Sequence, residues 1–135
     1  MDGSATINVM TTNLRAAQSA ATLVDAGAIV AQPWHDLEGF ENVTYKLLWR
    51  SGKSVAGIMH VMPDGRVDPH VHRRSQHHIW VIDGSADMLG QNVGPGSYLH
   101  VPAGVEHGIT APGPQGCTVF YLYLREDVPG APPPQ

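Results

Sequence analysis

The sequence predicts an all-β fold, a closed or two-layered antiparallel structure. Three observations predict it. The chain has 135 residues, enough for one hydrophobic core and too few for two ordinary ones. It holds 15 Gly and 11 Pro, a density of breakers that a helix bundle would not tolerate. Its middle is a series of short apolar runs separated by turn residues every 8–12 positions.

Taken in order, residues 1–13 are small, polar and without period, and frayed ends look like this. Leu14, Ala17, Ala21 and Val24 then recur at near-helical spacing. Asn13 is placed to cap that segment and Gly27 to end it, which predicts a short helix over 14–26. Residues 1–27 therefore read as an extension, partly helical or disordered. The β-body occupies residues 28–126 and begins with the apolar run Ala28 to Trp34, expected as a strand. The tail, residues 127–135, is rich in Pro and is expected to be extended and disordered. Along the body, parity assigns faces, because alternate strand residues point to opposite sides. His77 sides with Ile79 and Val81, and His78 with Trp80 and Ile82. Both sets are apolar, which predicts a strand buried on both faces.

Composition excludes several function classes. Eight Lys plus Arg against 12 Asp plus Glu give a formal charge of −4, with no basic cluster for nucleic acid. No apolar run approaches the ~18 residues of a membrane span. No secretory pattern opens the chain, so a cytoplasmic setting is expected. Cys117 is the single cysteine, which excludes an intrachain disulfide and a Cys-rich zinc knuckle. There is no nucleophile elbow and no phosphate-binding Gly loop.

Histidine is the outlier. Eight are present, and six of them fall between His70 and His107. A His-x-His on a strand, here His70 and His72, puts two imidazoles on one face, close enough to share an ion. Imidazole is largely unprotonated near neutral pH and is the commonest metal ligand. His77 and His107 supply the third and fourth candidates.

The spacing of these residues resembles the two motifs of the cupin superfamily, G-x5-H-x-H-x(3,4)-E-x6-G and G-x5-P-x-G-x2-H-x3-N. His70-x-His72 is followed after four residues by His77, and after six more by Gly84. Gly96 is followed after five residues by Pro102-x-Gly104, then after two by His107. The likeness covers about residues 55–124. It implies a cupin-type double-stranded β-helix, a jelly-roll barrel, with His70, His72, His77 and His107 as metal ligands. The phrasing from Gly94 to His107 with Gly116-Cys117, and the run Val43 to Leu48, are also similar to small cupins of the ChrR and dihydroxyacetophenone dioxygenase type. Three departures stand out. His77 occupies the family's Glu position, Asp64 stands where the first Gly is expected, and Ala111 replaces the final Asn.

Glu to His leaves a neutral ligand set, so a bound ion keeps its full charge as a Lewis acid. Fe(II) is favoured, with Zn, Ni, Cu or Mn alternatives, and hard Mg and Ca are disfavoured. The resemblance thus implies a metal-dependent enzyme, with a non-haem iron dioxygenase acting on a small chelating oxygenated substrate as first reading. An O2-independent isomerase, cyclase or lyase is the second, and a metal- or ligand-sensing cupin the third. Ile58, Ile79, Val81 and Phe120 are candidate cavity walls. Small cupins further imply a homodimer, formed through the Ala28–Trp34 segment and a sheet face.

Other residues carry plainer readings. Gln76 or His78 replaces His77 if the strand slips by one residue. His60 and His100 read as satisfied core histidines, and His35 as part of a lid. Arg73 and Arg74 read as a solvated turn, and Glu106 as exposed. Tyr121 and Tyr123 line or pack the barrel, and Cys117 is a small buried residue.

Overall fold

The computed structural model describes residues 20–126. It differs from the sequence reading first at the N-terminal side. Of the helix expected over 14–26, residues 14–19 lie outside the described residues; Ala20 is helical, and residues 21–25 are not. A six-residue helix, α1 (Ala26–Ala31), follows instead. Asp25 caps it by accepting from the Ala28 amide at 2.8 Å, and Pro33 lies just past its end. Gly27, read as a terminator, sits inside α1, and the strand expected over Ala28–Trp34 is mostly helix. The competing signal was the Asp25 cap on an Ala-rich run. None of the side chains of α1 is buried. The helix is held from below: Lys46 Nζ donates to Ile29 O at 2.8 Å, and Gln32 Nε2 donates to Leu47 O at 3.0 Å. The Pro-rich tail, residues 127–135, lies outside the described residues.

The body is antiparallel β-structure, as the breaker density predicts. Its strands are β1 (His35–Asp36), β2 (Val43–Ser51), β3 (Ser54–Val61), β4 (Val67–His70), β5 (Ser75–Gly84), β6 (Ala86–Met88), β7 (Gln91–Val93), β8 (Tyr98–Val101), β9 (His107–Ile109) and β10 (Cys117–Arg125). One layer is a six-stranded sheet in the order β1-β2-β3-β10-β5-β8. The other consists of two ribbons, β4-β9 and β6-β7, joined by a bridge between Asp87 and Thr110. This is a double-stranded β-helix.

The core lies between the layers. Met59 and Val61 from β3, Ile79 and Val81 from β5 and Val119 and Tyr121 from β10 meet Val67, Ala86, Met88 and Ile109 of the second layer. Strand parity therefore holds for the inward set, but the expectation of burial on both faces fails. Trp80 is 52% exposed and Ile82 48%. The second layer covers one face of the large sheet, and apolar side chains alone do not guarantee burial.

Gly84 closes β5 with φ +74°, a left-handed conformation that favours glycine. A Cβ there would also lie 2.9 Å from the Gly116 carbonyl carbon. The turn before β10 packs directly on the end of β5, and both positions are glycine.

Candidate metal centre

The ribbon β4-β9 carries two of the histidines. His70 ends β4 and pairs in register with His107 at the start of β9. His72 follows β4 in the loop, where its carbonyl accepts from the Gly104 amide at 2.8 Å. His77 comes from the opposite layer, on β5 beside Ile79. His70, His72 and His107 thus gather at one place, and His77 approaches them from the opposite layer.

The ligand atoms of His70, His72 and His107 lie within 4.8 Å of one another. Ring centres are 4.6 Å apart for His70–His72 and His70–His107, and 5.4 Å for His72–His107. His77 stands beside this group, 4.3 Å from His72 and 4.6 Å from His107. His78 points the other way, towards Tyr98 on the outer face. The one-residue slip left open by the sequence does not occur.

Hydrogen bonding prepares the ring nitrogens unequally. His70 Nδ1 donates to Asp68 O at 2.7 Å, and His107 Nδ1 donates to Val105 O at 3.1 Å. Each bond fixes the tautomer and leaves a lone pair on Nε2. His107 Nε2 is buried without a partner among the described residues. His77 is 0% exposed, and neither of its nitrogens has a partner among the described residues. Its orientation comes from Tyr123, stacked on it at 3.6 Å and 17°.

Burial, with repulsion from His70 and His107 when charged, lowers the His72 pKa to about 4. Burial first, and then the neighbouring imidazoles, lowers His77 to about 3. Burial also lowers His107, against the opposing effect of its bond to Val105. These three rings are neutral at pH 7, the state that binds a cation. Neutral imidazoles clustered within ligand distance, as His70, His72 and His107 are, fit a borderline divalent metal.

A cavity of about 450 Å3 opens beside His70 and His72. Leu47, Val55 and Met59 make part of its wall, Tyr121 and Tyr123 supply phenols, and Arg50 lies at its outer part. Burial raises the Tyr121 hydroxyl to about 12, and it raises Tyr123 as well. Both are protonated donors at neutral pH.

Of the expected walls, Ile58 and Phe120 do not line this cavity. They face each other in register on the outer side of the sheet. Ile79 and Val81 are core residues and line a separate pocket with Met88 and Leu99. Sequence reasoning missed Tyr45, Arg50 and Phe40, which come from β2 and the loop before it. The alternation of β2 was the available signal: Tyr45 and Leu47 share its inward parity, while Arg50 has the opposite parity and follows a register shift between Leu47 and Trp49. His60 bonds to Thr118 Oγ1 at 2.8 Å and is half-buried. His100 is exposed rather than in the core, because β8 is an edge strand. His35 is exposed on β1, its ring 5.8 Å from Tyr45. Glu106 and Arg73 are exposed, and Cys117 is buried with its thiol pushed up to about 11 by burial and by Asp83.

A double-stranded β-helix with histidines gathered between its layers defines a cupin. The chain belongs to the ChrR cupin-like family, since the profile described as ChrR Cupin-like domain matches residues 23–125. Among solved structures it is similar to the polyketide cyclase RemF from Streptomyces resistomycificus, at 26% identity and a TM-score of 0.61, covering 70% of this chain and 74% of that one. It is similar to Rhodobacter sphaeroides SigE in complex with the anti-sigma ChrR, at 21% identity and 0.58, covering 68% of this chain and 49% of that one. It is also similar to a predicted oxalate decarboxylase from Thermotoga maritima, at 14% identity and 0.63, covering 76% and 98%. The last two likenesses carry the fold alone. No curated protein matches the chain.

Proposed function

We propose that this chain is a metal-dependent cupin enzyme acting on a small oxygenated substrate that chelates through two oxygens. One observation carries the reading: His70, His72 and His107 cluster beside an open cavity, with unpartnered buried nitrogens on His107 and on the adjacent His77. A buried polar atom left unpaired costs about 1–3 kcal/mol, so such nitrogens persist where a ligand satisfies them. His70, His72, His77 and His107 hold the ion in this proposal. Fe(II), Zn, Ni, Cu and Mn all suit imidazole donors to differing degrees.

Bound there, the ion supplies Lewis acidity to a carbonyl or enol oxygen and, as iron, access to O2 chemistry. The chain does the rest. Leu47, Val55 and Met59 exclude water from the reacting end. Tyr121 and Tyr123 donate hydrogen bonds to oxygens that gain negative charge. Arg50 offers a fixed positive charge to an acidic group at the far end.

Two reactions fit this arrangement. The oxygenase reading rests on the small-cupin resemblance and on imidazole donors that would suit iron. The O2-independent reading, in which the ion polarises a carbonyl for ring closure or isomerisation, is favoured by the likeness to RemF, a polyketide cyclase. A sensing role accords with membership of a family named for ChrR, an anti-sigma protein. The deciding experiment is metal analysis of the purified protein, followed by β-dicarbonyl, hydroxyketone and phenol turnover in air and under argon. Equal turnover in both gases supports Lewis-acid chemistry. Turnover only in air, with O2 consumed, supports the oxygenase. No turnover in either leaves sensing as the surviving reading.

We further propose a homodimer in a cytoplasmic, reducing setting. The Ala28–Trp34 segment expected at the interface is largely helix, so in this proposal the sheet face carries the dimer. A sedimentation mass of one 14.5 kDa chain at micromolar concentration refutes the dimer.

A further inference from the structure

The outer face of the large sheet carries a second pair of histidines. His78 on β5 and His100 on β8 are directly opposed across the strand pair. Their ring centres are 4.8 Å apart. Two imidazoles that share one ion at about 2.0–2.1 Å put their ring centres roughly 5 Å apart at ordinary coordination angles. The inner histidines, at 4.3–5.4 Å, span the same range. Backbone pairing, not a flexible loop, fixes the spacing of the outer two.

Neighbouring side chains are compatible with a free lone pair on each ring. His100 Nε2 donates to Gln76 Oε1 at 3.0 Å, which leaves the lone pair on Nδ1. Tyr98 Oη lies 2.6 Å from His78 Nδ1. With that N–H donating to the phenol oxygen, His78 Nε2 carries its lone pair. Each ring thus has a side-chain partner on one nitrogen, as metal-ligating histidines do. Tyr98 also lies beside His78 in a stack, with ring centres 6.0 Å apart.

We propose that His78 and His100 form a second, outward-facing metal site, separate from the inner cluster. Its donors are two neutral imidazoles, so it takes a borderline cation such as Zn, Ni or Cu and not Mg or Ca. Two protein ligands leave about half the coordination shell to water or to a donor from another molecule. It therefore binds more weakly than the inner cluster. This site does not depend on the proposed enzymatic role.

Zinc alone is the probe. The full chain is stripped with chelator and titrated with Zn against a chromophoric competitor. Wild type takes up two equivalents per chain, one tight and one weaker. His78→Ala and His100→Ala each abolish the weaker equivalent and keep the tight one. His72→Ala does the reverse. His35→Ala, an exposed histidine elsewhere, changes neither. His100→Gln repeats the loss with a side chain that preserves polarity, and unchanged far-UV circular dichroism shows that the fold persists. A single equivalent in wild type, or two equivalents retained by His100→Ala, overturns the proposal. If His72→Ala keeps two equivalents while His100→Ala keeps one, the outer site stands and the inner assignment falls.

Discussion

Replacing His77 with leucine should stabilise the metal-free protein and weaken its response to metal. His77 is fully buried, and a neutral imidazole brings one donor and one acceptor, both unpartnered here. Leaving them so costs roughly 1–3 kcal/mol each. Leucine removes that penalty and is close to histidine in size. It gives up the stack on Tyr123, a contact of the kind worth about 0.5–1.5 kcal/mol. Taking the low end of the first range, about 2 kcal/mol, and about 1 kcal/mol for the second, the metal-free variant gains about 1 kcal/mol. That is a rise of roughly 4 °C in Tm for a domain of this size. The metal-loaded order is the opposite. Free metal at about 100 times Kd stabilises the wild type by about 2.7 kcal/mol, and the variant loses part of that gain with one donor. The assay is urea unfolding followed by tryptophan fluorescence, in chelator and in excess zinc. A metal-free His77→Leu protein less stable than metal-free wild type refutes the reasoning, because its ring nitrogens were then satisfied without metal.

Three further outcomes follow from the same geometry. In the metal-free protein, folded His72 and His77 have pKa values of about 4 and about 3 against 6.5 unfolded. The unfolded chain takes up protons first, so their contribution is complete above pH 6.5 and is lost as pH falls towards those values. The urea midpoint in chelator should therefore drop between about pH 7 and about pH 5, and drop less in His77→Leu; a flat profile counts against depressed values. Tyr123→Phe should keep the stack on His77 and bind cobalt with an unchanged visible spectrum, whereas Tyr123→Leu should alter the spectrum and weaken binding about tenfold; identical spectra for the two would deny Tyr123 a positioning role. Gly57→Ala places a Cβ 2.6 Å from Lys46 O and against the Tyr121 hydroxyl, so it should destabilise by about 1–3 kcal/mol in thermal melts and reshape the cavity wall; an unchanged Tm would refute the close approach.

The sequence disclosed the clustering of the inner histidines better than the cavity beside them. The spacing of His70, His72, His77 and His107 survives in the structure because strand pairing converts sequence intervals into fixed separations. His70 faces His107 across one ribbon, and His77 lies in the sheet opposite. The cavity was less legible. Ile58 and Phe120 looked like wall residues, yet which face of a strand turns inward depends on which layer lies over it. No local pattern reports that layer's position. Trp80 and Ile82 misled in the same way. At the N-terminal side, the apolar run from Ala28 suited strand or helix, and the Asp25 cap, with Lys46 donating up to Ile29 and Gln32 donating down to Leu47, favoured helix. His100 seemed a core residue until β8 proved to be an edge.

Histidines drawn from opposite layers have a consequence for folding kinetics. His70 and His107 come from the smaller layer, and His77 from the larger. The approach of His77 to His107 joins segments distant along the chain, so that part of the docking waits on closure of the loops between them. An ion held by all of them rewards only those conformations in which docking is complete. It contributes little to the transition state and much to the native state. Bound metal should therefore slow unfolding and leave the refolding rate nearly unchanged. For such a protein, the ion sets the lifetime of the folded state rather than the speed of its formation.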